Sequence, residues 1–94
     1  MEDELSLWII DSGATNHVCS SLQMLSSSKE LVDGDFTIRV GNGAVVSALA
    51  VEVARLNFGN NFLILNNVYF IPKFRRNLIS VSKLHEQLFN IFFL

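Results

Sequence analysis

Apolar and polar positions along this chain fall into short blocks broken by turn-forming residues. "VDGD" (Val32 to Asp35), "VGNGAV" (Val40 to Val45) and "FGNNF" (Phe58 to Phe62) each separate apolar-rich segments of strand length, a spacing that predicts a compact all-β sheet or barrel. The Asn42-Gly43 pair marks a hairpin, because both central residues of a type I′ turn need positive φ. Before it, "FTIRV" sets Phe36, Ile38 and Val40 on one face and Thr37 and Arg39 on the other, the alternation of a half-exposed strand.

"VEVARLNF" begins with Val51 and Val53 set against Glu52, then loses phase before Leu56 and Phe58, so a bulge is expected near Ala54. "FLILNNVYFI" is apolar on both faces and reads as a central, doubly covered strand ended by Pro72. "SSLQMLSS" could form one short helical turn after Cys19. "SVSKLHEQL" is the stronger helix: Val81, Leu84 and Leu88 share one face, and Ser80 is placed to cap it. The expected fold is a small closed β-barrel with one short C-terminal helix.

With 94 residues, the chain buries only about two-thirds of its unfolded surface, so its stability margin is thin. Half its residues are apolar and 17% are charged, a surplus that points to an interface. The net charge of −2 implies neither a nucleic-acid nor a membrane partner. The single cysteine, Cys19, excludes an internal disulfide. No apolar run reaches membrane-spanning length, and Glu2, Asp3 and Glu4 replace the basic start of a secretory leader. The chain is read as soluble and intracellular. Residues 1–7 form an acidic tail and residues 8–94 the domain, whose apolar end "FNIFFL" reads as a final strand cut short.

The candidate chemistry lies in "WIIDSGATNH", Trp8 to His17. An apolar strand runs straight into Asp11, which costs free energy unless the carboxylate is hydrogen-bonded or paired. Gly13 lets the chain turn sharply and bring N–H groups close, and Ser12 adds a hydroxyl donor. Peptide hydrolysis by carboxylates needs two of them, yet Asp3 sits in the tail, and Asp33 and Asp35 flank a turn glycine. A second carboxylate would have to come from an identical chain across a two-fold axis.

"WIIDSGATNH", then "VGNG", then "LNNVYFIPKFRRNLISVSKL", in that order, resemble the protease region of copia-type retrotransposon Gag-Pol polyproteins, a branch of the retropepsin-like aspartic proteases. The resemblance runs from Trp8 to about Phe92. It implies that Asp11 is the catalytic aspartate of a homodimer and that Ser12, Gly13 and Ala14 complete the active-site loop, with the Ser12 hydroxyl bonding across the dimer. It makes Val40, Gly41, Asn42 and Gly43 the flap over a polyprotein peptide substrate, with no cofactor and no metal. It also implies a cytoplasmic setting within a virus-like particle. Two departures stand out: Ser80 replaces a glycine common in retropepsins, though serine is usual in the copia branch, and Ala50 and Glu52 stand where glycines are common.

Duller readings compete. "GNG" lacks the lysine, third glycine and helix of a phosphate loop, though it could be a plain surface hairpin. His17, Cys19 and the distant His85 do not make a four-ligand zinc site. Cys19 reads as a small buried apolar side chain. "KFRR" (Lys73 to Arg76) is a weak basic signal, favouring a solvated loop over direct nucleic-acid contact. A non-catalytic barrel serving in assembly or peptide binding is the rival reading of the whole domain.

Overall fold

The computed structural model describes residues 7–21, 25–39 and 43–92. Eight strands and one helix follow in order: β1 (Trp8–Asp11), β2 (His17–Cys19), β3 (Leu25–Glu30), β4 (Thr37–Arg39), β5 (Val45–Ser47), β6 (Ala50–Phe58), β7 (Asn61–Phe70), β8 (Asn77–Ser80) and α1 (Val81–Phe92). Six strands form one sheet in the order β1-β8-β2-β7-β6-β3, and β4 pairs with β5 separately. Among these residues no helix is long and apolar enough to cross a membrane.

β1 and β2 are neighbours in sequence but not in the sheet. β8 lies between them, parallel to β1 with Asp11 opposite Ser80, and antiparallel to β2 with Val18 opposite Leu78. The loop leaving Asp11 is therefore stitched to a strand that arrives almost seventy positions later. Successive residues of a strand point to opposite faces, and here both faces are covered. Cys19, Val68 and Ile79 join one core with Trp8, Ala54, Leu56 and Leu65, while Val18 and Ile71 join Ala48 in a second.

The β4–β5 hairpin covers the second core, with the Phe36 and Tyr69 rings stacked at 3.6 Å and 6°. Its chain joins the main sheet at one corner, where Leu31 N–H donates to Leu49 O at 3.0 Å and Leu49 N–H donates to Phe70 O at 2.9 Å. The closed barrel expected from the sequence is not what forms. The edges β1 and β3 do not pair among the described residues, because the hairpin satisfies its own ladder and folds over one face instead of bridging the edges.

Turns appear at Gly34 and Gly59, where the sequence places them. Gly59 and Asn60 link the paired Phe58 and Asn61, with Gly59 at φ 56°. Around "VDGD", Asp35 N–H donates to Val32 O at 2.9 Å, Val32 N–H donates to Asp35 Oδ2 at 3.0 Å, and Gly34 sits at φ 90°. The last described pair of β4 and β5 is Arg39 with Val45, so more than the two residues of a type I′ turn separate the strands. Residues 40–42 of this loop lie outside the described residues.

Four expectations are corrected. The bulge occurs at the expected level, yet the extra residue belongs to β7: Glu52 faces Val68 and Ala54 faces Leu65, so two steps of β6 oppose three of β7. Asn67, at φ 54°, absorbs the excess, as asparagine does more readily than most residues. The faces of β6 are also the reverse of those read from its valines. Glu52 is buried with Ala50, Ala54 and Leu56, and Val51 and Val53 are only half-buried; the small alanines leave room for the longer carboxylate side chain.

β7 is central, as expected, but it is covered on both faces only from Val68 onward; Phe62 and Ile64 are exposed. Finally, helix and strand exchange places at two ends. Residues 25–30 form a strand, recruited by the β6 edge rather than by their own propensity. The apolar end is helical through Phe92: Ser80 Oγ accepts from Lys83 N–H at 3.2 Å, a true N-cap, and no glycine or proline interrupts residues 81–92. Residues 22–24, 93 and 94 of those segments, and residues 1–6 of the acidic tail, lie outside the described residues.

Candidate active site

Trp8 anchors β1 in the first core at 7% exposure, whereas Ile9 and Ile10 are 37% and 65% exposed. β1 is an edge strand, so it delivers Asp11 to the margin of the sheet. The compensation that the sequence demands for this carboxylate is present. Gly13 N–H donates to Asp11 Oδ1 at 2.8 Å, and Ala14 N–H donates to Asp11 O at 3.4 Å. A Cβ built on Gly13 would lie 3.3 Å from Oδ1. The loop takes glycine there because the donating backbone must come this close.

The return of the loop is fixed from behind. Ser80 is fully buried; its hydroxyl donates to Ala14 O at 2.8 Å, and its N–H donates to His17 Nδ1 at 3.0 Å. A hydroxyl has one proton, and Ala14 O takes it, so the 3.1 Å contact with Ser82 Oγ is a bond donated by Ser82. With Nδ1 accepting, the proton of neutral His17 sits on Nε2. Burial, and then the Lys83 charge, hold its pKa below the ordinary 6.5.

The structure thus brings Asp11, Gly13 and Ala14 into one hydrogen-bonded loop, with the Ser12 side chain exposed. Of the expected flap residues, Gly43 stands at φ 86° and its carbonyl accepts from Arg39 Nη1 at 3.2 Å; Val40, Gly41 and Asn42 lie outside the described residues.

Two features escaped the sequence reading. Ser80 does more than cap a helix, which its spacing from Ala14 could not reveal. Beneath the sheet, Cys19 Sγ–H donates to Glu52 Oε1 at 3.5 Å. Burial, then the Glu52 charge, push the thiol up to about 12, and burial raises the Glu52 carboxyl above its ordinary range. The Ala-x-Glu-x-Ala run was the available signal, since small residues two positions to either side make space for a buried acid. No cluster of three or more His, Cys, Asp or Glu side chains that could hold a metal occurs among the described residues.

The chain is 34% identical over 77 residues to a retrovirus-related Pol polyprotein from transposon RE2 of Arabidopsis thaliana, covering 82% of this chain. It is 32% identical over 77 residues to the corresponding polyprotein from transposon RE1 of the same plant. The matched region is 5% of the length of each polyprotein. No solved structure matches. Residues 8–89, from the buried Trp8 through nearly all of α1, match the Pol polyprotein beta-barrel domain, and the chain belongs to that family.

Proposed function

We propose that this domain is an aspartic endopeptidase of the copia-type, retropepsin-like class, acting as a homodimer on its own polyprotein. The observation that carries the reading is the position of Asp11: one carboxylate, held by Gly13 N–H at 2.8 Å, at the end of an edge strand beside the exposed Ile9 and Ile10. A second copy meeting this edge about a two-fold axis covers the isoleucines and sets the two Asp11 carboxylates face to face.

Two such carboxylates cannot both ionise at close range and share one proton. One takes a proton from a water molecule held between them. The other, protonated, hydrogen-bonds the scissile carbonyl, and the apolar surroundings strengthen both interactions. Gly13 N–H orients the carboxylate, Ser12 bonds across the dimer, and the β4–β5 hairpin closes over an extended peptide paired with strand edges.

The test is cleavage of polyprotein junctions by the wild-type domain and by Asp11→Asn, alongside the oligomeric state. Wild type should be dimeric at micromolar concentration and blocked by a transition-state mimic of peptide hydrolysis, and the variant should be inert with its fold intact. Equal cleavage by both forms would dispose of Asp11 chemistry. No cleavage by either would leave an assembly or peptide-binding module.

A further inference from the structure

The Asp11 loop is held in place by a chain of hydrogen bonds that begins in the interior, at His17 and Ser80, and ends at the surface. His17, 1% exposed, accepts from Ser80 N–H at 3.0 Å, and Ser80 Oγ donates to Ala14 O at 2.8 Å, two bonds beyond the Asp11–Gly13 turn. Ser80 has no exposure to water, so its N–H has nowhere to turn if the imidazole stops accepting. β8 pairs with β1 at Asp11 opposite Ser80; a shift of Ser80 is therefore passed to the aspartate through both the loop and the strand.

We infer that His17 is a positioning residue for the Asp11 loop, working only as a neutral imidazole, so that its protonation uncouples Ser80 and Ala14 and loosens the aspartate's setting. This rests on the protease reading for its catalytic consequence, but the coupling itself does not depend on that reading. In imidazolium both ring nitrogens are donors, so no ring flip restores an acceptor for Ser80 N–H. A buried backbone N–H facing a second donor loses its hydrogen bond and gains a repulsion.

The surroundings of the ring favour the neutral form. It borders a cavity of about 380 Å³ whose titratable groups are Tyr69 from β7 and Lys83 and Glu86 from α1. Lys83 and Glu86 pair at 3.6 Å, leaving no unpaired carboxylate among these groups to stabilise an imidazolium. β8 contributes no titratable side chain. Burial and Lys83 act in the same direction. An ordinary carboxylate dyad works into acid; here the loop that carries the carboxylate should fail first.

The test compares wild type with His17→Asn, whose side-chain oxygen stands near the Nδ1 position and does not titrate. NMR would follow the His17 ring, and amide-exchange protection of Ser80, Gly13 and Ala14, from about pH 8 to about pH 4. Protection at Ser80 and Ala14 in wild type should fall at least about tenfold in step with ring protonation, and His17→Asn should keep it constant. Where junction cleavage is measurable, the acid limb of kcat/KM should move to lower pH in His17→Asn.

Wild-type protection that stays level while the ring titrates would overturn the inference, as would the same acid fall in His17→Asn. Should His17→Asn fail to fold, the wild-type comparison of ring and amides still decides. Loss of protection as expected in a protein that cleaves nothing would uphold the coupling while ending the protease reading.

Discussion

Cys19 and Glu52, 33 positions apart in the chain, meet in the interior, the thiol donating to Oε1 at 3.5 Å while Oε2 has no partner. Burial of a carboxyl this poorly satisfied raises its pKa above the ordinary 4.5. The folded chain then holds a proton that the unfolded chain releases. The Glu52 contribution is fully present below about pH 4.5 and is lost as pH rises through the raised folded value. Urea denaturation across that range should show the loss in wild type, and Glu52→Gln should remove this part of the pH dependence.

His17 works in the opposite direction. Its pKa is lowered on folding, so its contribution is complete above about pH 6.5 and is lost as pH falls toward the folded value. The two buried groups tilt stability in opposite senses, Glu52 favouring the acid side and His17 the neutral side. The Glu52→Gln variant should therefore extend stability on the alkaline side only, which distinguishes its effect from a general gain in stability.

Gly13 is the residue on which the carboxylate's setting turns. In Gly13→Ala the new methyl group meets Oδ1 at 3.3 Å, so the Asp11 side chain must yield and the 2.8 Å bond from residue 13 lengthens. Stability should change by about 1 kcal/mol, the usual net worth of one hydrogen bond. If Asp11 is the catalytic carboxylate proposed above, cleavage should fall far more steeply, because a small misplacement of a reacting group costs on the order of a hundredfold in rate. Parallel thermal melts and junction-cleavage assays would expose the asymmetry; equal small effects on both would contradict it.

Gln87 stands in for a missing neighbour strand. Its Nε2 donates to Ile64 O at 2.7 Å and its Oε1 accepts from Asn66 N–H at 3.2 Å, so one side-chain amide occupies the edge of β7 beyond the reach of β2. Gln87→Leu leaves both backbone groups to water. A loss of about 1 kcal/mol is expected because the site is exposed, with faster amide exchange at Asn66. The more telling outcome is association: an uncovered strand edge templates pairing with other chains, so light scattering should rise with concentration in the variant.

The sequence carried the strands whose signal is local. Gly34, Gly43 and Gly59 mark their turns through positive φ, and Ser80 caps its helix through a bond to a residue three positions on. What it did not carry is decided by pairing at a distance. The inverted faces of β6 follow from Ala50 and Ala54 accommodating Glu52 against Cys19, a relation that no run of neighbouring residues expresses. The strand at 25–30 exists because β6 offers it an edge. At the site, Asp11 and Gly13 were legible because their bond spans two positions; the support from His17 and Ser80 spans more than sixty.

Asn67 shows how such a distant requirement is met by one residue type. The extra position in β7 falls between Leu65 and Val68, and Asn67 turns the strand with φ at 54°. An L-residue with a branched side chain is strained there by roughly 1–2 kcal/mol, whereas glycine is not. Asn67→Gly should therefore be tolerated better than Asn67→Val, which should lose roughly 1–2 kcal/mol. The loss in Asn67→Val should be accompanied by reduced amide protection at Asn66 and Val68 on either side of the bulge, since the strand can relieve the strain only by giving up its register. Equal stability of the valine and glycine variants in chemical denaturation would mean that the bulge is held by its neighbours and not by the backbone freedom of this asparagine.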